Sequence, residues 1–104
     1  MGAQPPRITG PTLKVLGQLM NSPLTELSGA DISKATGISS GTLYPVLIRL
    51  EKAAWLSSQW EEVNPSEVGR PRKRLYQLTS LGAQESRAVF DDLVPTGGRF
   101  VWQS

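Results

Sequence analysis

The sequence contains neither cysteine nor histidine. Without cysteine there is no disulfide, no thiol nucleophile and no thiolate metal site. Without histidine the commonest general base and the commonest metal ligand are both missing, so a Ser-His-Asp arrangement is impossible and no ordinary zinc site is expected. Long apolar runs are also lacking; the uninterrupted ones span a few residues, against ~20 for a membrane span. The opening Met1-Gly2-Ala3-Gln4-Pro5-Pro6 has no apolar core of a secretory signal, and Pro6 stands where a myristoylation site takes Ser or Thr. These absences lead to the expectation of an intracellular, soluble protein with no membrane association and no cofactor. The acid–base groups left are carboxylates and lysines. Asp91-Asp92 and Glu61-Glu62 are neighbours in sequence, and on a regular helix or strand such neighbours do not project together. An enzyme is therefore the least favoured class.

What is present fits one small domain. A chain of 104 residues is of ordinary domain size and buries roughly 65% of the surface its unfolded form exposes. Ten glycines and eight prolines gather near the N-terminus, in the 64–71 stretch and near the C-terminus, which marks turns and ends. Residues 1–10 read as a flexible arm, 11–94 as the folded domain, and 95–104, with Phe100-Val101-Trp102, as a tail. The net charge is only +2, yet four of the eleven basic residues, Arg70, Arg72, Lys73 and Arg74, lie within five positions.

Periodicity gives the element order helix, helix, helix, strand, basic loop, strand, helix. Pro11 suits the first turn of a helix running to Met20, with Leu13, Leu16 and Met20 on its inner side and Leu19 beside them. Leu24-Thr25-Glu26-Leu27 is a short extended or linking piece. Ser28 opens a second helix, Asp31 completing a capping box three residues on. Ile32 and Ala35 face inward, and Gly37 closes the helix in the left-handed conformation. Ser39 or Ser40 caps a third helix in which Leu43, Val46, Leu47 and Leu50 repeat at i, i+3, i+4 and i+7. Pro45 inside that helix crowds the carbonyl of Gly41, the most forgiving residue available. The alternation around Leu56, Ser58 and Trp60 predicts a strand with Leu56 and Trp60 on the better-buried face. Arg72–Thr79 returns as its hairpin partner, with Tyr76 and Leu78 together on one face. Thr79 or Ser80 caps a last helix packed through Leu81, Ala88, Phe90 and Leu93, ending near Val94.

The second helix, the Gly37 turn and the third helix form a helix-turn-helix, in which the second member enters the DNA major groove. With the basic hairpin, the expected fold is mainly α with a small β-hairpin wing, a winged helix-turn-helix of the α+β type. The candidate DNA contacts are Lys34, Ser39, Ser40, Thr42, Tyr44 and Arg49 around the helices, and Arg70, Arg72, Lys73 and Arg74 on the hairpin. This reading requires the front of the third helix and the hairpin cations to share one water-exposed side. It also requires those cations to be free of the chain's own carboxylates. The competing reading is a protein-interaction module whose basic hairpin meets an acidic partner.

Gly41-Thr42-Leu43-Tyr44-Pro45-Val46-Leu47-Ile48-Arg49-Leu50-Glu51 resembles the recognition-helix signature of the PadR-type transcriptional regulators. Gly69-Arg70-Pro71-Arg72-Lys73-Arg74-Leu75-Tyr76-Gln77-Leu78-Thr79, followed by Leu81-Gly82, resembles their wing and second wing strand. The resemblance extends over roughly residues 10–90 and includes proline at the place of Pro45. It implies a bacterial or phage-borne, cytoplasmic and nucleoid-associated repressor that binds double-stranded operator DNA as a homodimer, with Tyr44 facing the DNA. Family members usually dimerise through a long C-terminal helix. Here helix one, the short last helix or the Phe100-Val101-Trp102 tail would take that role. Some relatives bind a small aromatic effector between subunits, and Trp55 or Trp102 would line such a pocket.

Overall fold

The computed structural model describes residues 5–93; the tail residues Phe100, Val101 and Trp102 lie outside this range. The first helix, α1, spans Gly10–Asn21. Thr9 caps it, its side chain accepting from the Thr12 amide at 3.3 Å. The inner face of α1 is Thr12, Val15, Leu16 and Leu19, not the Leu13–Leu16–Met20 line expected; Leu13 and Met20 are half-buried flanks. Thr12 completes the stripe because its hydroxyl is already bonded, to Thr9 Oγ1 at 2.9 Å and to the Arg7 carbonyl at 3.3 Å. A satisfied hydroxyl is cheap to bury.

A two-residue strand, β1 (Leu27–Ser28), leads into α2 (Gly29–Thr36). The capping box is present in both directions, each bond 3.1 Å long, and the backbone bond from Ser28 holds the Asp31 carboxyl below its ordinary pKa. Gly37 adopts φ +78°, which glycine alone reaches without steric penalty. Ile32 is fully buried, whereas Ala35 is exposed, contrary to expectation; Ile38 enters the core from beyond the helix end.

Helix α3 spans Ser40–Lys52 and buries Leu43, Val46, Leu47 and Leu50. Pro45 sits within it on the exposed side, so its ring meets water rather than the core. The expected serine cap does not form: Ser39 holds the N-cap position but its side chain makes no capping hydrogen bond. The helix ends with Ala54 at φ +66°, a left-handed position where an alanine is strained by roughly 1 kcal/mol.

The chain then forms β2 (Leu56–Trp60), a single helical turn α4 (Pro65–Val68), β3 (Arg74–Leu78) and α5 (Ser80–Asp92). The sheet has three antiparallel strands in the order β1-β3-β2, with Leu56 opposite Leu78, Trp60 opposite Arg74, and Leu27 opposite Tyr76. Two corrections follow from this register. The return strand starts at Arg74 rather than Arg72. Trp60 shares a face with Leu56, but it lies at the far end of the ladder, opposite Arg74, and it is 55% exposed. Trp55 is the buried tryptophan.

Helix α5 is capped by Thr79, which accepts from the Gly82 amide at 2.8 Å. Its inner face is Gly82 and Ser86, with Ala83, Val89 and Phe90 packed on the core. Leu81, Ala88 and Leu93 point outward, contrary to expectation. The phase is set by Gly82: a Cβ there would lie 1.9 Å from the Trp55 carbonyl oxygen, so this helix approaches the chain before β2 through its smallest residue. Ser86 is wholly buried, and its Oγ has no hydrogen-bond partner among the described residues. An unpaired buried hydroxyl costs about 1–3 kcal/mol. Ser86→Ala is therefore expected to stabilise the domain by about 1 kcal/mol, and thermal unfolding followed by circular dichroism should show a midpoint raised by roughly 4–8 °C.

The core joins Val15, Leu16 and Leu19 of α1, Ile32, the inner stripe of α3, Trp55, Leu56, Tyr76 and Leu78. Among the described residues no helix is long and apolar enough to cross a membrane.

Candidate nucleic-acid interface

Helix α3 buries one stripe, so the opposite side is its outer crest. Gly41, Tyr44, Pro45, Ile48 and Lys52 occupy it, all exposed, with Ser39, Ser40 and Thr42 exposed at the front. Ile48 and Lys52 did not stand out in the sequence. Their signal was the i, i+4 series Tyr44–Ile48–Lys52, out of phase with the leucine stripe. Arg49 departs from its expected place: it is half-buried on the flank, and its Nε is buried without a partner among the described residues. Lys34 is exposed in the last turn of α2.

Tyr44 leans back over the start of α2. A Cβ on Gly29 would fall 2.2 Å from the Tyr44 hydroxyl, so the absent side chain leaves room for the ring, which remains 41% exposed. No side chain caps α3, and a helix start without a side-chain cap is a favourable place for an anion.

The four hairpin cations are not equivalent. Arg70 makes a two-pronged pair with Glu61, Nη1 to Oε1 at 2.8 Å and Nη2 to Oε2 at 3.1 Å. Glu61 also accepts from the Lys73 amide at 3.1 Å, so one carboxylate ties the loop to the return strand. The Arg70 hydrogen bonds, then the Lys73 amide, push the Glu61 pKa from its ordinary 4.5 down to about 2. Since folding lowers this pKa, the pair holds the wing above pH 4.5 and lets go as pH falls toward about 2. A side-chain carboxyl NMR titration should place the Glu61 midpoint near 2, and Arg70→Ala should return it toward 4.5; a midpoint unmoved by that substitution would refute the pairing.

Arg74 is also engaged. Its guanidinium lies 5.0 Å from the Trp60 ring centroid, its Nε donates to Ser58 Oγ at 3.0 Å, and Nη2 is 3.9 Å from Glu51 Oε2. Ser58 in turn donates to Glu51 Oε2 at 2.6 Å. Arg72 is exposed and donates its Nε to the Val63 carbonyl at 3.0 Å. Among the described residues neither Arg72 nor Lys73 has a carboxylate partner in an ion pair. The freedom required of the hairpin cations therefore holds for Arg72; Lys73 makes no ion pair, although its charge is felt by Asp31 and Glu61, and Arg70 and Arg74 are paired. Cross-strand neighbours made the difference, and they depend on a register that local sequence does not display.

Tyr44, Trp60, Arg72, Lys73 and Arg74 line one open cleft of about 430 Å³, floored by Gly29. Tyr44 of α3 and the hairpin cations Arg72, Lys73 and Arg74 thus share a side. Trp55 is only 6% exposed, so it is a core residue and does not line an effector pocket. A helix-turn-helix flanked by a three-stranded sheet with an extended hairpin defines the winged-helix class.

Within that class the chain belongs to the transcriptional regulator PadR-like family, whose model matches residues 16–88. That is a family of transcriptional regulators and not of enzymes. Among solved structures the chain is similar to a PadR-like transcription factor from Bacteroides fragilis, with 23% identity, a TM-score of 0.65, and 78% of this chain and 77% of that one covered. It is similar to smu.1704 from Streptococcus mutans, with 29% identity, a TM-score of 0.62, and coverage of 78% and 76%. It also shares the fold of S. aureus MepR in a DNA complex, at 23% identity and a TM-score of 0.65, with 82% of this chain and 66% of that one covered. Against two further structures, disulfide-formed AbfR and a MepR mutant, the chain spans 56% and 60% of their length. No curated protein matches the sequence.

Proposed function

We propose that this protein is a sequence-specific DNA-binding repressor of the bacterial cytoplasm, associated with the nucleoid. Helix α3 lies in the major groove, and the hairpin rests on the backbone or in the adjacent minor groove. The observation that carries this reading is the shared cleft: Tyr44 from α3 and the unpaired Arg72 and Lys73 from the hairpin open in one direction. Ser39, Ser40, Thr42 and the uncapped amides of α3 supply further phosphate and base-edge contacts. Lys34 reaches the backbone from α2. Arg49 acts from the flank, and Arg70 and Arg74 hold the hairpin rather than the phosphates. A homodimer supplies two half-sites, with Leu81 and Leu93 on the outer side of α5 as apolar material for its interface. An aromatic effector, if one is used, sits against surfaces other than Trp55.

The test is fluorescence anisotropy with labelled duplexes, including the DNA flanking the protein's own gene, at two salt concentrations. Binding that weakens steeply with salt is the expected result. No binding to any duplex at low salt would transfer the case to the second reading, a module whose hairpin takes an acidic protein partner. The modest net charge of +2 is the observation behind that reading.

A further inference from the structure

The outer crest of α3 is unusual in what it offers a groove. Gly41, Tyr44, Pro45, Ile48 and Lys52 include no arginine, asparagine or glutamine. Arginine or lysine reads guanine edges in two-pronged fashion, and asparagine or glutamine reads adenine edges; on this face only Lys52, in the last turn of α3, belongs to that set. In the middle of this face, one helical turn beyond Tyr44 and one before Lys52, stands Ile48 with 53% of its surface exposed. The ring of Pro45 lies beside it and widens the apolar strip. A single exposed isoleucine is ordinary on a protein surface; its position on this face is what matters. The major groove presents one apolar feature, the C5 methyl of thymine. Isoleucine is also stiff in a helix, nearly always in one χ1 rotamer, so ordering it on docking sacrifices little freedom.

We infer that Ile48 is a specificity-determining residue that reads thymine methyl groups in the major groove. The inference rests on the DNA-binding function proposed above and assigns the chemistry that function uses at its centre. Burying one methyl contributes about 0.8 kcal/mol, which corresponds to about a fourfold change in affinity.

The experiment uses the full chain and duplexes selected from a random pool. Thymines should be enriched at fixed positions within each half-site. Deoxyuridine differs from thymidine by the missing methyl alone. Exchanging the enriched thymines for deoxyuridine should weaken binding about fourfold per methyl at constant salt. The Ile48→Ala protein should bind thymine and uracil duplexes equally, with its salt dependence unchanged. Equal binding of both duplexes by the unaltered protein would overturn the inference without recourse to any variant. Full thymine preference retained by Ile48→Ala would overturn it as well. Binding to unselected duplex at low salt, measured alongside, separates this failure from failure of the proposed function: if that binding is present, only the role of Ile48 falls; if it is absent, both fall.

Discussion

Gly82→Ala should destabilise the domain by about 3 kcal/mol or more. Two effects oppose each other at this position. Alanine is the better helix former by about 1 kcal/mol, so substitution in an open helix would stabilise. Here the added Cβ would stand 1.9 Å from the Trp55 carbonyl oxygen and 2.9 Å from its Cα. Those are backbone atoms fixed by the hydrogen bond from the Thr79 amide to the same carbonyl, at 3.0 Å. Neither side can yield by a rotamer change, so α5 has to slide off the segment that feeds β2. A domain of this size has a total stability of about 5–15 kcal/mol, so the loss would be a large part of it. Urea unfolding should show a clearly lower midpoint. A midpoint equal to or above that of the parent would mean that α5 does not pack as described.

The double substitution Arg72→Ala, Lys73→Ala carries the largest expected effect on DNA. On the proposed reading these are the hairpin cations available to phosphates. Each lost contact should flatten the slope of log affinity against log salt by about 0.9, hence about 1.8 per subunit. Arg70→Ala makes the contrast. It removes a cation of the same charge from the same loop, but one engaged by Glu61, so the slope should stay near that of the parent. Equal flattening by both variants would show that the pairing with Glu61 gives way on DNA and that the hairpin acts as an undifferentiated patch of charge.

Features set by neighbouring residues were legible in the sequence. The Ser28–Asp31 capping box, the left-handed Gly37, the leucine stripe of α3 and the Thr79 cap each depend on contacts within a few positions. What escaped depends on partners distant in the chain. Thr12 is the local exception: its partners, Thr9 and the Arg7 carbonyl, are near in the chain, but a threonine reads as polar until its hydroxyl is seen to be satisfied. β1 has two residues, too few for any alternation to register. Trp60 obeys the alternation of its strand and is nonetheless exposed, at the wall of an open cleft that it shares with Tyr44 and the hairpin cations. α5 rotates away from its apolar Leu81 and Leu93 because closeness at Gly82 outweighs their burial. In the candidate site, the sequence offered the basic cluster as a block, and pairing with Glu61 and Glu51 divided it.

The link from Glu51 through Ser58 to Arg74 joins the far end of α3 directly to both long strands of the sheet. On the proposed reading α3 is a groove-reading rod and the hairpin a backbone-gripping finger, and bracing of this kind would couple their spacing, as in a caliper with a set gap. A duplex accommodates a fixed gauge by adjusting its own groove width and bend, and the energy of doing so varies with base sequence even where no side chain touches a base. Part of the selectivity of this small domain would then reside in the stiffness of the DNA it grips.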